Sequence, residues 1–242
     1  MTKRKSKKLL TFLIPTFNRE VEFGRCFNSI KELIKEDDID YIVLDNNPKR
    51  TYTKKLDNVI HKPKLELNDI YGILIKEGSK NSEFLYFLED DDFVLKRFEE
   101  VVEKLRSFRT SILMASFENK STSYMRNFGL REGFHEIETI THFNITNFIF
   151  KSSLIEDVNF DGLEEHVDND LYLFYWQILK DPKIYYCQSP AVVSTSCNPG
   201  RDNETSKALR ISKNPNFFEL LKKVNNEKAK KMEEMYYASK ND

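Results

Sequence analysis

Phe84-Leu85-Tyr86-Phe87-Leu88-Glu89-Asp90-Asp91-Asp92 decides how the rest of this chain is read. Five apolar residues in a row, rich in aromatics, predict a short buried strand. Four acids follow without a break. Beyond them Leu95, Phe98, Val101, Val102, Leu105 and Phe108 recur at helical spacing, so the acids are expected where a strand ends and a helix is about to begin. In an open α/β sheet that edge is where ligands bind. Crowded carboxylates repel one another, and a fold keeps them together by solvating them or by sharing a cation among them. Oxygen donors of this kind suit magnesium, manganese or calcium rather than copper or structural zinc. The plainer reading is a solvated turn in which Asp92 or a neighbour caps the helix and favours its dipole.

The flanking segments supply the context. Leu9-Leu10-Thr11-Phe12-Leu13-Ile14 is a nearly continuous apolar run that stops at Pro15-Thr16-Phe17-Asn18-Arg19, residues suited to a turn at a strand's carboxyl end. Phe23, Cys26, Phe27, Ile30, Leu33 and Ile34 then mark a helix, and Tyr41-Ile42-Val43-Leu44 a second strand ending in Asp45-Asn46-Asn47-Pro48. Strand, helix, strand in this order is the parallel α/β unit with a right-handed crossover. Ile70, Ile73 and Leu74 fit a short helix. Residues 111–117 and 147–150 read as further strands, residues 118–137 as a hairpin or flap, and 185–186 and 191–193 as two short strands. Asp168-Asn169-Asp170 opens a helix carrying Leu171, Phe174, Tyr175, Ile178 and Leu179, in which Trp176 is expected to be core. Phe217, Leu220, Leu221, Val224, Met232 and Met235 predict a C-terminal helix or helix pair packed on the outside.

Composition narrows the function classes. With 242 residues the chain has room for one α/β domain and a small appendage. Lys and Arg total 38 against 39 Asp and Glu, a balance with no overall nucleic-acid signal. Lys3, Arg4, Lys5, Lys7 and Lys8 form a basic tail, expected to be disordered and solvated. Its alternative role, together with the lysines between 222 and 231, is attraction to an anionic membrane face. The tail lacks the apolar region of a signal peptide, and Cys26, Cys187 and Cys197 show no CxxC spacing. A cytoplasmic protein, with peripheral contact at the inner membrane face as the variant, is the expected location.

Taken in order, Leu13-Ile14-Pro15-Thr16-Phe17-Asn18-Arg19, Val43-Leu44-Asp45-Asn46, Phe87-Leu88-Glu89-Asp90-Asp91-Asp92, Asn147-Phe148-Ile149-Phe150-Lys151 and Asp168-Asn169-Asp170-Leu171 resemble the family 2 glycosyltransferases of the GT-A fold. The resemblance covers residues 9–200. It implies a Rossmann-related α/β fold: an open, mixed, mostly parallel sheet flanked by helices. Residues 1–8 are then a tail, 9–205 the glycosyltransferase domain and 206–242 a C-terminal helical extension. It further implies an inverting, metal-dependent transfer of sugar from a nucleotide-diphosphate sugar, a UDP-sugar by preference, to a hydroxyl acceptor of envelope or capsule polysaccharide.

The site residues follow from the same resemblance. Pro15, Thr16, Asn18 and Arg19 line the nucleotide pocket, Asp45 accepts a hydrogen bond from the base, and Asp90 contacts the donor. Asp91 is the first candidate ligand of Mn2+ or Mg2+, with Asp92 and Glu89 beside it. The DXD signature falls on residues 89–91, with Glu in place of the first Asp, or on 90–92. Asp168 is the general base, with Asp170 the runner-up; as a sequence feature alone Asp168 is equally an N-cap. The chain departs from the family pattern at Val167, where Glu is usual, and at Asn198, where many relatives carry His; Arg201 could supply charge there instead. His166 is a minor candidate for acceptor or phosphate contact. Two other readings stay open: a non-catalytic nucleotide-sugar-binding or scaffold protein of the same fold, and a sugar nucleotidyltransferase. The second lacks the glycine-rich first loop that cradles a triphosphate.

Overall fold

The computed structural model describes residues 7–49, 51–120, 122–126, 128–138, 144–163, 169–195 and 216–238. Among them ten strands build one sheet: β1 Lys8–Thr16, β2 Ile39–Asp45, β3 Val59–His61, β4 Ser82–Phe87, β5 Phe93–Val94, β6 Ile112–Lys120, β7 Thr122–Arg126, β8 Gly133–Glu136, β9 Phe148–Lys151 and β10 Lys183–Ser194. The α-helices are α1 Glu20–Ile30, α2 Leu67–Ser79, α3 Phe98–Phe108, α4 Ser152–Ile155, α5 Asn169–Lys180, α6 Asn216–Lys222 and α7 Asn226–Ala238. The spatial order is β3-β2-β1-β4-β9-β6-β10-β5, with β7 paired to β6 and β8 to β10. β1 runs parallel to both β2 and β4, and β6 parallel to β10. β9 is antiparallel to its two neighbours, β4 and β6. The sheet is therefore mixed and mostly parallel, as expected.

The unbroken apolar runs have a direct cause. Along β1, Leu10, Phe12 and Ile14 enter one core while Leu13 enters the other; in β4, Phe84 and Tyr86 divide from Leu85 and Phe87 in the same way. Both faces are covered, so both sets of alternating positions are mainly apolar, and the buried hydroxyls of Thr11 and Ser82 pair with each other. α1 and α3 bury Phe23, Cys26, Ile30, Phe98, Val101, Val102 and Leu105 on the first face. There Phe12 meets Tyr86 edge-on, with ring centroids 5.6 Å apart. On the second face lie α2, α5, α6 and α7, contributing among others Leu74, Tyr172, Phe174, Phe217 and Met232. α2 approaches the sheet so closely at Gly78 that a Cβ there would stand 2.7 Å from Leu85 Cδ2 and 3.0 Å from Leu13 Cδ2.

Several elements differ from the sequence reading. The acids do not run straight into a helix: β5 intervenes, pairing antiparallel with Val192 and Val193, and α3 starts only at Phe98. A two-residue strand is too short to leave a period. Residues 185–186 and 191–193 belong to one long strand, β10, whose pairing with β6 shifts register between Cys187 and Val192. The region expected as a hairpin or flap supplies β7, which folds back on β6, and β8, which pairs antiparallel with the start of β10. Of the basic tail, residues 1–6 lie outside the described residues, and Lys8 opens β1. The expected boundary at residue 205 also lies outside them. No described helix is long and apolar enough to cross a membrane.

The C-terminal helix pair is fixed to the second core rather than appended to it. Phe217 is fully buried, its ring 5.6 Å from that of Tyr172 and 6.1 Å from that of Tyr175, while Lys222 on α6 reaches Glu233 on α7 at 2.9 Å. Phe217→Ala is therefore expected to lower the unfolding free energy by about 3–5 kcal/mol, the range for emptying a buried aromatic site. Urea titration followed by tryptophan fluorescence should show one transition at a lower midpoint. An unchanged midpoint would contradict the packing described.

Candidate active site

Strand direction decides which residues can meet. β1, β2, β4 and β10 all end at one edge of the sheet, delivering Thr16, Asp45, the acids after Phe87, and Thr195. β9 runs the other way, so it is its beginning, the turn at residues 144–147, that arrives there.

The acids are not a solvated turn. Asp90, Asp91 and Asp92 are 5%, 5% and 1% exposed, and Glu89 is half-buried. Each of the three aspartates is held by a partner distant in sequence. Asp90 Oδ2 accepts from the Thr16 hydroxyl at 2.8 Å and from the Phe17 N–H at 3.3 Å. Because the single Thr16 proton is committed to Asp90, the Tyr52 hydroxyl, 2.9 Å away, must donate to Thr16 Oγ1. Tyr52 accepts in turn from the Arg19 N–H at 3.4 Å, which closes a polarised chain from the first turn to the acids. The Arg19 guanidinium bridges two carboxylates, its Nη1 lying 3.0 Å from Asp90 Oδ1 and 2.9 Å from Asp91 Oδ2. Asn18 makes this turn possible by adopting φ 55°, a left-handed conformation that asparagine tolerates better than most residues. Pro15 sits in β1 opposite Leu44 and leads the strand into the turn.

Asp92 is tied to the other side of the cleft. Its Oδ1 accepts from the Thr195 N–H at 2.7 Å, so Asp92 does not cap α3. Thr195 also donates its hydroxyl to the Asp91 carbonyl, and Arg25 on α1 clasps both, its Nη2 2.7 Å from that carbonyl and 3.1 Å from Thr195 Oγ1. The Arg25 guanidinium lies over the Phe93 ring, 4.9 Å from its centroid. Asp92 Oδ2 is buried, with no hydrogen-bond partner among the described residues. One carboxylate oxygen each from Glu89, Asp91 and Asp92 lie within 4.8 Å of one another. Three converging hard donors, one of them orphaned, fit a divalent cation of the magnesium or manganese type.

Burial and mutual repulsion show in the protonation equilibria. Desolvation, reinforced by Asp92, Asp170, Asp91 and Asp90, pushes the Glu89 carboxyl well above the usual range. Asp92 is raised by burial to about 7, although the Thr195 N–H favours its charged form. Asp90 is raised by burial too, with the Thr16 hydroxyl and Arg19 opposing. Beneath them the Cys26 thiol is raised well above its ordinary value, by burial first and by the three Asp carboxylates after it.

The remaining expected residues stand as follows. Asp45 is fully buried and serves its own loop: Oδ1 accepts from the Asn47 N–H at 2.9 Å and Oδ2 from the Thr53 hydroxyl at 2.5 Å. Asp168, His166, Val167, Asn198 and Arg201 lie outside the described residues. Asp170 stands in the first turn of α5, accepting from the Tyr71 hydroxyl at 2.9 Å and from the Ile145 N–H at 3.3 Å. Arg25, Tyr52, Thr53 and Thr195 did not emerge from the sequence. Arg25 lies on a helix, Tyr52 and Thr53 in the loop between β2 and β3, and Thr195 just past β10, places that carry no motif.

A carboxyl whose pKa is raised on folding stabilises the protein fully below its unfolded pKa and loses that contribution as pH rises through its folded pKa. With a chelator present, the native protein should therefore lose thermal stability between pH 3.8 and about 7 through Asp92. Asp92→Asn should flatten that decline in a Tm-against-pH series. Parallel curves for the two proteins would contradict the raised value.

The comparisons with known proteins bear on the family and the fold. The sequence matches the model of glycosyl transferase family 2 over residues 11–160. No curated protein matches it. Among solved structures, the fold is similar to S. aureus TarS 1-349, with a TM-score of 0.63 at 14% identity over 89% of this chain and 70% of that one. TarS 1-349 in complex with UDP-GlcNAc gives 0.61 at 14% identity, over 89% and 71%. Against S. aureus TarS the chain spans 43% of the length, with a TM-score of 0.60 at 14% identity over 90% of this chain. At these identities the likeness is one of fold. With the family model covering well over half of its length, the chain belongs to glycosyl transferase family 2 and is a glycosyltransferase.

Proposed function

We propose that this glycosyltransferase takes its sugar from a UDP-sugar and passes it, with inversion, to a hydroxyl acceptor. The observation that carries the reading is the buried acid cluster at the carboxyl edge of β4, facing the turn after β1 across a few ångströms. The similarity of fold to TarS 1-349, solved in complex with UDP-GlcNAc and with UDP, supports the choice of donor.

In this reading Pro15, Thr16, Asn18 and Arg19 form the nucleotide side of the cleft, and Asp45, which also holds Asn47 and Thr53, accepts a hydrogen bond from the base. Asp90, fixed by the Thr16 hydroxyl and the Phe17 N–H, is presented to the donor ribose or sugar. Glu89, Asp91 and Asp92 hold Mn2+ or Mg2+, with Asp91 first among them. When bound, the cation supplies positive charge to the donor diphosphate and so favours departure of the nucleoside diphosphate.

Asp168 immediately precedes α5, whose first turn is anchored by Asp170 through Tyr71 and Ile145. That commitment of Asp170 favours Asp168 as the general base. The acceptor oxygen attacks the anomeric carbon from the face opposite the diphosphate, through an oxocarbenium-like state. Its proton passes to the Asp168 carboxylate, the carbon–oxygen bond to the diphosphate breaks, and UDP leaves with that electron pair.

The test is UDP release from UDP-sugars in the presence of Mn2+. Asp91→Ala should abolish it. Asp168→Asn should lower kcat by about 10²–10⁴-fold, the usual contribution of a general base, while calorimetric UDP binding stays near the native value. Donor binding that is indifferent to Mn2+, with no turnover of any UDP-sugar, would instead identify a non-catalytic binding protein.

A further inference from the structure

We propose that Arg19 acts as a built-in counter-ion that competes with the divalent cation for the acid cluster, so that cation and donor bind together rather than independently. The inference rests on the nucleotide-sugar reading above and concerns how that site loads. Among the described residues, Arg19 is the basic side chain that forms ion pairs with the acids, reaching Asp90 and Asp91 through one nitrogen at 3.0 and 2.9 Å. The neighbouring arginine, Arg25, spends its Nη2 on the Asp91 carbonyl and Thr195 instead.

Asp91 is the carboxylate shared between the two assignments: it pairs with Arg19 and belongs to the group of three whose oxygens converge. A guanidinium and a divalent cation on one carboxylate repel each other strongly in a site this poorly solvated. Each therefore lowers the other's affinity for the cluster. Arg19 is able to move, because its side chain is 37% exposed while those of Asp90 and Asp91 are 7% exposed. It also lies in the turn that forms the nucleotide side of the cleft, next to Phe17, which is 55% exposed. A guanidinium displaced from the acids would there meet the negative diphosphate, with the bidentate geometry it favours. The donor thus rewards the same movement that frees Asp91 for the cation. This is thermodynamic coupling through one side chain, and it must be reciprocal.

The measurement is Mn2+ affinity, read by calorimetry or by the electron paramagnetic resonance of free Mn2+, on native protein and on Arg19→Gln, with and without UDP. Without UDP, Arg19→Gln should bind Mn2+ about tenfold more tightly than the native chain, the scale of one charge-assisted hydrogen bond. With UDP the native chain should gain Mn2+ affinity and the variant should gain much less. Arg19→Lys, which keeps the charge but not the fork, should retain part of the native competition. Weaker or equal Mn2+ binding by Arg19→Gln without UDP, at unchanged Tm, would overturn the proposal and make Arg19 a residue that orients the acids. Mn2+ binding by neither protein, even with UDP, would overturn the metal-dependent reading and this one with it.

Discussion

Four consecutive acids in a sequence are unremarkable; three of them almost removed from water are not. Placing Asp90, Asp91 and Asp92 side by side under the edge of a sheet sets repulsion and desolvation against folding. The structure answers with directed donors: the Thr16 hydroxyl and the Arg19 guanidinium from the turn after β1, and the Thr195 N–H from the end of β10. These partners come from 71 to 103 residues away. They can converge only because the strands carrying them run in the same direction and end at the same level. The mixed sheet, with β9 reversed between β4 and β6, is thus the scaffold on which the charge cluster is assembled.

That compensation is incomplete, and the shortfall is informative. Asp92 Oδ2 has no partner among the described residues, Glu89 and Asp92 hold their protons more firmly than exposed carboxyls do, and the nearby Cys26 thiol is held neutral by burial and by the field of the acids. A fold selected for stability alone would have replaced such groups with apolar ones of similar shape. Their retention is the usual sign of a site arranged for a charged ligand. If the signature falls on residues 89–91 rather than 90–92, the chain places Glu89 where its first acid is commonly Asp. The longer side chain still brings an oxygen within 4.8 Å of those of Asp91 and Asp92, so the substitution keeps the group of three together.

Much of the architecture was legible because it has a local period. The apolar runs of β1, β2 and β4, buried on both faces, and the helical stripes of α1, α3 and α5 carry their structure in their own spacing. The turn at residues 15–19 was legible through its proline and asparagine, and Asn18 does adopt the left-handed backbone such a turn uses. What local pattern cannot encode is pairing across the chain. β5 exists because Val192 and Val193 offer it an edge, and β10 is one strand because β6 accommodates its change of register. Arg25 and Thr195 matter through a carbonyl and a backbone N–H rather than through a motif. Asp45 is a similar case. The base contact expected of it came from the family resemblance, and nothing local foretold that its two oxygens also accept from Asn47 and Thr53 in the loop that follows.

The central claim is that the acids after β4 form one cation site shared with a donor diphosphate. The most direct measurement is anomalous diffraction at the manganese edge from crystals grown with UDP and Mn2+. The account predicts a single peak about 2.1 Å from an Asp91 oxygen, with Glu89 or Asp92 beside it and the diphosphate on its open side. UDP bound in the cleft with no peak among these carboxylates, or a peak lying elsewhere in the fold, would contradict it.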